Sequence, residues 1–370
     1  MKIQATPTLL HLLKREWVLV ASYLTTVAFL LNPTWLEKDP GPIPGIALFA
    51  WLFVIMLLAS FSVVRHADHL AEKLKEPLGT LILTLAVTSI EVMMISALML
   101  NGDNPTLARD TMFSVVMVVL GGLLGVALLI GGIRFGEQNF NLKGVNSFLG
   151  LILPLSLFSL VLPNFTKTGG YGMFSPLHAV SLLLLSLIIY GVFLAVQTSV
   201  HREFFYEAGW SPSDDDPEEK KGSVGLESLL LILHLVPVVL LSKQLAHLLD
   251  FRVAKSGLPV DLVGLVVAVL ILAPEGLAAI QSASRNQMQR SVNVLLGSVL
   301  ATISLTVPAA LAISLIYGKP LLLGLSPNYT TLLAVTLGSC IVTFGQGQTN
   351  ILQGFVHLLL FAAYIVLMFD

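Results

Sequence analysis

Two carboxylates set in apolar surroundings are the residues of this chain best suited to chemistry. Glu91 lies near the middle of LGTLILTLAVTSIEVMMISALML, Leu78 to Leu100, and Glu275 lies in LPVDLVGLVVAVLILAPEGLAAI, Leu258 to Ile280. Each run is long enough to cross a hydrocarbon core of roughly 30 Å. A carboxylate at that depth costs at least ~2.5–3.5 kcal/mol, so it is paired, protonated or working. The two acids are separated by half of the 370-residue chain (275 − 91 = 184). One buried acid per half is the pattern of a cation site built from duplicated halves. Two carboxylates neutralise one divalent cation or take up two protons, which is the logic of an exchanger.

Neutral oxygen ligands stand around both acids. Thr84 and Thr88 precede Glu91 by seven and three residues and share its helical face. After Glu275 comes LLGSVLATISLTVP, in which Ser298, Thr302 and Thr306 fall at i, i+4 and i+8. Pro274 has no N–H, so the carbonyl of Leu270 loses its helical partner and becomes a further candidate ligand; Pro308 does the same to Ser304. Accessory candidates follow Glu91: Asp110, Thr111 and Ser114, then Gly121 and Gly125, a GxxxG pair that lets helices approach closely. Hard cations such as Ca²⁺ take six to eight oxygens, carboxylates among them. Each residue has a plainer role as well. Glu91 could pair with Arg65 or Arg109, Glu275 could snorkel to an interface, and the hydroxyls could bond back to their own helices. Arg109 and Asp110 could form a local salt bridge or cap. His178, His234 and His357 are expected to be interfacial or packed, with proton relay as the alternative.

The elements that position these residues follow from composition. Apolar residues make up 55% and charged residues 11%, against about 25% charged in a soluble domain. Mean hydropathy is +0.87. The chain reads as an all-α polytopic membrane protein. One cysteine, Cys340, excludes an intrachain disulfide and a thiolate cluster. No basic tract points to nucleic acid, no resident cofactor is expected, and oligomeric state is not legible. About eleven spans are counted, from Trp17–Leu31 to Ile351–Phe369, the first and tenth (Thr330–Phe344) being short. The first is expected to be a retained helix and not a cleaved signal. With the N-terminus inside, inner segments hold 13 of the 20 Lys and Arg and outer segments hold 7, which favours N-in and C-out. The stretch Arg65 to Glu76 is then an inner loop or short surface helix.

The acidic, proline-broken stretch His201 to Gly225 divides the chain. The expected organisation is residues 1–42 as an N-terminal segment with the first helix, 43–200 as one five-helix repeat, 201–225 as a cytoplasmic linker and 226–370 as a second repeat. An odd number of spans per half forces the halves into opposite orientations, the plan of many secondary transporters.

Four stretches, FSVVRHADHLAEKLKEPLGTLILTLAVTSIEVMMISALM, LILAPEGLAAI, RSVNVLLGSVLATISLTVP and TNILQGFVHLLLFAAY, resemble the calcium/cation antiporter superfamily. The likeness is greatest to its bacterial calcium/sodium–proton antiporters of the ChaA type. The resemblance implies a ten-helix inverted repeat after an extra helix, with Glu91 and Glu275 as the central cation- and proton-binding acids and Ser298 helping to form the site. It also implies exchange of Ca²⁺, and of Na⁺ or K⁺, for protons across a bacterial inner membrane. A sodium-driven calcium exchanger and a cation channel are the alternative functions. An intramembrane enzyme is disfavoured, since neither an HExxH motif nor a Gly-x-Gly-Asp pair occurs.

Overall fold

The computed structural model describes residues 16–32, 35, 41–74, 78–101, 104–206 and 223–370. Among the described residues eleven long helices account for the architecture. They are α1 (Trp17–Leu31), α2 (Pro42–Leu74), α3 (Leu78–Asn101), α4 (Leu107–Phe135), α5 (Leu142–Leu160), α6 (Pro176–Val200), α7 (Val224–Ser256), α8 (Asp261–Ala283), α9 (Met288–Tyr317), α10 (Pro327–Phe344) and α11 (Ile351–Met368). Local chemistry sets several starts. Asn141 caps α5, while Ser175-Pro176 and Ser326-Pro327 open α6 and α10 with a hydroxyl cap and a proline in the first turn. Asn350 and Gln353 form a capping box on α11.

At α2 the stretch after Arg65 is neither a loop nor a separate short surface helix: the helix continues unbroken to Leu74 and is 33 residues long. His66 and Ala67 are fully buried there, so tertiary packing holds a segment whose composition reads as surface. The acidic part of the linker, residues 207–222, lies outside the described residues, as do Lys14 and Arg15; the linker enters with a short 3₁₀ turn, Arg202–Phe205.

Burial separates the centre from the rim. In α4 and α9, 72% and 61% of the apolar window is covered by other helices, against 28% in α6 and α11. The centre is therefore built by α4, α8 and α9, with α3 packed on α9. Close approach there requires glycine. A Cβ on Gly264 of α8 would lie 2.8 Å from the Asp110 carbonyl carbon of α4. The expected GxxxG seam is real: a Cβ on Gly125 would lie 2.9 Å from the Leu358 backbone nitrogen, so this face of α4 packs on α11.

The halves repeat with the 184-residue offset of the two acids. A π-helical segment begins 27 residues after each glutamate (118 − 91 and 302 − 275): Val118–Leu123 interrupts α4 and Thr302–Thr306 interrupts α9. The connections meet at both ends of the bundle. At one end, β1 (Gln138–Asn139) pairs antiparallel with β2 (Gln348–Thr349). At the other, Leu325 donates its N–H to Leu160, and Asn164 donates from Nδ2 to the Leu325 carbonyl at 2.6 Å. Shifting Gln138 forward and Gln348 back by the offset gives residues 322 and 164, in the two connections that meet at the far end. Equivalent connections of the two halves therefore meet at each end of the bundle, through a strand pair at one and through Asn164 and Leu325 at the other.

Candidate functional site

Glu91 on α3 and Glu275 on α8 line one cavity of about 470 Å³. The π segment of α9 carries the decisive contact. Thr302 donates from Oγ1 to Glu91 Oε2 at 2.7 Å, with Thr302 fully buried and Glu91 4% exposed. Thr302 therefore does not bond back along its own helix. One turn earlier, Ser298 hydrogen-bonds with the Glu275 carboxylate and lines the same cavity. Each acid keeps one buried oxygen with no hydrogen-bond partner, Glu91 Oε1 and Glu275 Oε2. Ser304, also in the π segment, holds a buried hydroxyl without a hydrogen-bond partner, and Thr306 at the end of the segment stands beside Glu91. A π segment widens the helix by one residue and leaves the backbone ladder irregular, and such bulges recur at functional sites. Unpaired buried oxygens cost roughly 1–3 kcal/mol each, so a cluster of them around two acids is a cradle for something that supplies positive charge.

The remaining candidates divide. Thr88 lines the cavity beside Glu91. Thr84 lies in α3, but its side chain falls outside the described residues. Leu270 is fully buried, and α8 runs through Pro274 as continuous helix, with Ile271 and not Leu270 facing the cavity. Asp110, Thr111 and Ser114 do not line the cavity. Asp110 accepts from Arg109 at 2.7 Å and from Thr106 at 2.6 Å, Thr111 bonds back to Leu107, and Ser114 bonds to the Asp110 carbonyl and to Tyr364. Arg109 also reaches the Gly324 carbonyl, so this group ties α4 to the α9–α10 connection. Neither Arg65 nor Arg109 pairs with Glu91: Arg65 binds Glu16 and Arg109 binds Asp110.

Sequence reasoning passed over the mouth of the cavity. Asp68 on α2, Gln197 in the last turn of α6, Arg202 in the 3₁₀ turn that follows, and Arg290 and Asn293 on α9 line it, with buried Tyr190 also on its wall. Asp68 feels Glu275 as a like charge. It sits in the RHADHLAEKLKE stretch, and reading that stretch as a continuation of the preceding span is the signal that would have placed it. Of the histidines expected to be packed, His357 is fully buried: Nδ1 donates to the Leu120 carbonyl at 2.6 Å and Nε2 accepts from Thr343 at 2.9 Å. Leu120 lies in the first π segment, so His357 satisfies a carbonyl there. His178 bonds to the capping Ser175.

The family described as sodium/calcium exchanger protein matches this chain over residues 44–199 and 227–369. The chain is 41% identical to the sodium-potassium/proton antiporter ChaA of Escherichia coli (strain K12) over 360 residues, 96% of each chain. It is 25% identical to the Ca(2+)/H(+) antiporter ChaA of Bacillus subtilis (strain 168) over 256 residues, 67% of this chain and 71% of that one. The solved structure of native YfkE superposes with a TM-score of 0.73 at 17% identity, covering 95% of this chain and 98% of the other.

Proposed function

Because the chain belongs to the sodium/calcium exchanger protein family, we propose that it exchanges inorganic cations for protons across a bilayer by alternating access, with Glu91 and Glu275 carrying either load. The observation that carries this reading is the pairing of the two acids in one cavity, each with a buried oxygen left without a hydrogen-bond partner. In low-dielectric surroundings two bare carboxylates repel strongly. The site is at rest only when the charge is cancelled, by one divalent cation, by two monovalent cations or by two protons. Cation and proton then exclude one another at the same oxygens, and that exclusion couples their movements. Ser298, Thr302 and Thr88 supply neutral oxygens that replace part of a cation's hydration shell.

The cavity mouth, with Asp68, Arg202 and Asn293, lies at the end that also carries the start of the linker. The Lys and Arg distribution assigns that end to the cytoplasm, so we read this conformation as inward-facing, with the N-terminus inside and the C-terminus outside a bacterial inner membrane. The relatives' names divide between sodium-potassium and calcium; Ca²⁺, Na⁺ and K⁺ are all candidate cargoes here. Transport, and not catalysis, is the role of the two acids.

The test is proton flux in proteoliposomes with each cation supplied alone. Addition of a transported cation on one side should drive protons to the other without any second ion. Glu91→Gln and Glu275→Gln should each abolish exchange while the protein still inserts, since glutamine keeps the shape and carries neither load. Wild-type turnover in either variant sinks the assignment. Flux that needs sodium on the opposite side and ignores the proton gradient makes the chain a sodium-driven exchanger instead.

A further inference from the structure

A second cluster of metal-ligating side chains lies away from the exchange cavity, where α1, α2 and α7 meet. Glu16 precedes α1, His66 lies on α2, and Glu227 and His234 lie in the first turns of α7. Glu16, His66 and His234 are buried. His66 Nε2 and His234 Nε2 each lie 3.4 Å from Glu16 Oε2, and the three atoms fall within 4.8 Å of one another. We propose that Glu16, His66 and His234 bind a divalent transition metal of the Zn²⁺ class, which pins α1 to α2 and α7.

Geometry and donor chemistry carry the assignment. Zinc bonds of about 2.0–2.1 Å in a tetrahedron place neighbouring ligand atoms about 3.3–3.4 Å apart. Both observed separations from Glu16 Oε2 have that value. The other nitrogen of His66, Nδ1, lies 2.7 Å from Glu227 Oε2. A carboxylate accepting Nδ1–H leaves the Nε2 lone pair directed at the metal, which is the usual outer partner of a zinc-bound histidine. The overlapping set of His66, His69 and Glu227 does not compete: its shortest separation, 2.7 Å, is a hydrogen bond and too short for two ligands of one ion. Two imidazoles and one carboxylate select Zn²⁺, Cu²⁺ or Ni²⁺ over Ca²⁺, Na⁺ or K⁺, which prefer oxygen. A cation already stands there. The Arg65 guanidinium contacts Glu16 Oε2 and lies 3.3 Å from His66 Nε2, and its side chain is 41% exposed, so it is not locked in place by packing. Removing this competitor should strengthen metal binding. The site lies at the junction of α1, which falls outside the family-matched residues, with helices that belong to them. It shares α2 with Asp68 at the cavity mouth.

The test uses the full chain, purified in detergent and stripped with chelator, with Co²⁺ as the absorbing probe and Zn²⁺ as competitor. One equivalent of Co²⁺ should give the visible bands of a four-coordinate site and be displaced by Zn²⁺. The bands should persist in the Glu91→Gln/Glu275→Gln double variant and vanish in His234→Ala. Glu227→Gln should weaken Zn²⁺ about 10- to 100-fold by loosening His66. Arg65→Gln should tighten it, a gain that damaged folding does not produce. Absence of the bands in the wild type, their survival in His234→Ala, their loss in the double variant, or an Arg65→Gln affinity no better than wild type would each overturn the site.

Discussion

Replacing Thr302 by valine isolates the contact that joins the two halves of the exchange site. Valine keeps the branched shape and removes only the hydroxyl, so packing in the π segment changes little. In the wild type that hydroxyl donates to Glu91 Oε2 at 2.7 Å, and Glu91 Oε1 already lacks a partner. The variant takes this donor from a buried carboxylate when no cation is bound, and removes one neutral ligand when one is. A hydrogen bond to a charged group is worth about 1.5–3 kcal/mol. The empty site loses the same donor, so this energy bounds the net effect: at about 1.4 kcal/mol per factor of ten, apparent cation affinity should fall by up to roughly 10- to 150-fold. The assay is the initial rate of proton movement in proteoliposomes against cation concentration, fitted for half-saturation and maximal rate. Thr302→Ser should restore most of the affinity. Half-saturation within about twofold of wild type in Thr302→Val, with the protein inserted, would refute the reasoning, because Thr302 would then contribute no ligand to the bound cation.

Ser298→Ala should raise half-saturation more than Thr306→Ala, since Ser298 borders the cavity beside Glu275 and Thr306 does not line it; equal shifts in the same assay would make Ser298 a packing residue. Apparent cation affinity should fall as the loading side is acidified, because protons compete for the same oxygens, and a flat affinity across the pH range would contradict shared glutamates. Neutralising Asp214, Asp215, Asp216, Glu218 and Glu219 together should leave exchange intact and change at most its dependence on salt or inner Ca²⁺; complete loss of flux at low and high ionic strength in an inserted protein would place the linker in the transport path.

The helices and the two acids were legible because bilayer physics writes them into short windows. Length and apolarity mark a span, and a charge inside a span stands out at once. Reading the stretch from Arg65 as surface failed for the converse reason. His66, Asp68 and Lys73 are polar, and their burial or cavity position depends on α7 and α9, helices more than 150 residues away. Glu16, His66 and His234 carry no common period, since each comes from a different helix and the grouping exists only after packing.

The accessory residues show why internal repetition misleads when it is read as chemical symmetry. The offset fixed by the acids and the π segments aligns Ser298 with Ser114. The two serines occupy matched places in inverted halves and meet different surroundings: Ser298 borders the open cavity, while Ser114 is fully buried and bonded to Tyr364. The π segments diverge in the same way. In α9 the sequence TISLT supplies three hydroxyls, with that of Thr302 bonded to Glu91; in α4 the sequence VVLGGL supplies none, and His357 donates to the Leu120 carbonyl. Each half therefore contributes an acid, while the hydroxyl cradle comes mainly from the second. That division is set by the residues themselves: α9 brings Ser298 to the cavity and Thr302 to Glu91, while α4 packs Gly125 against α11.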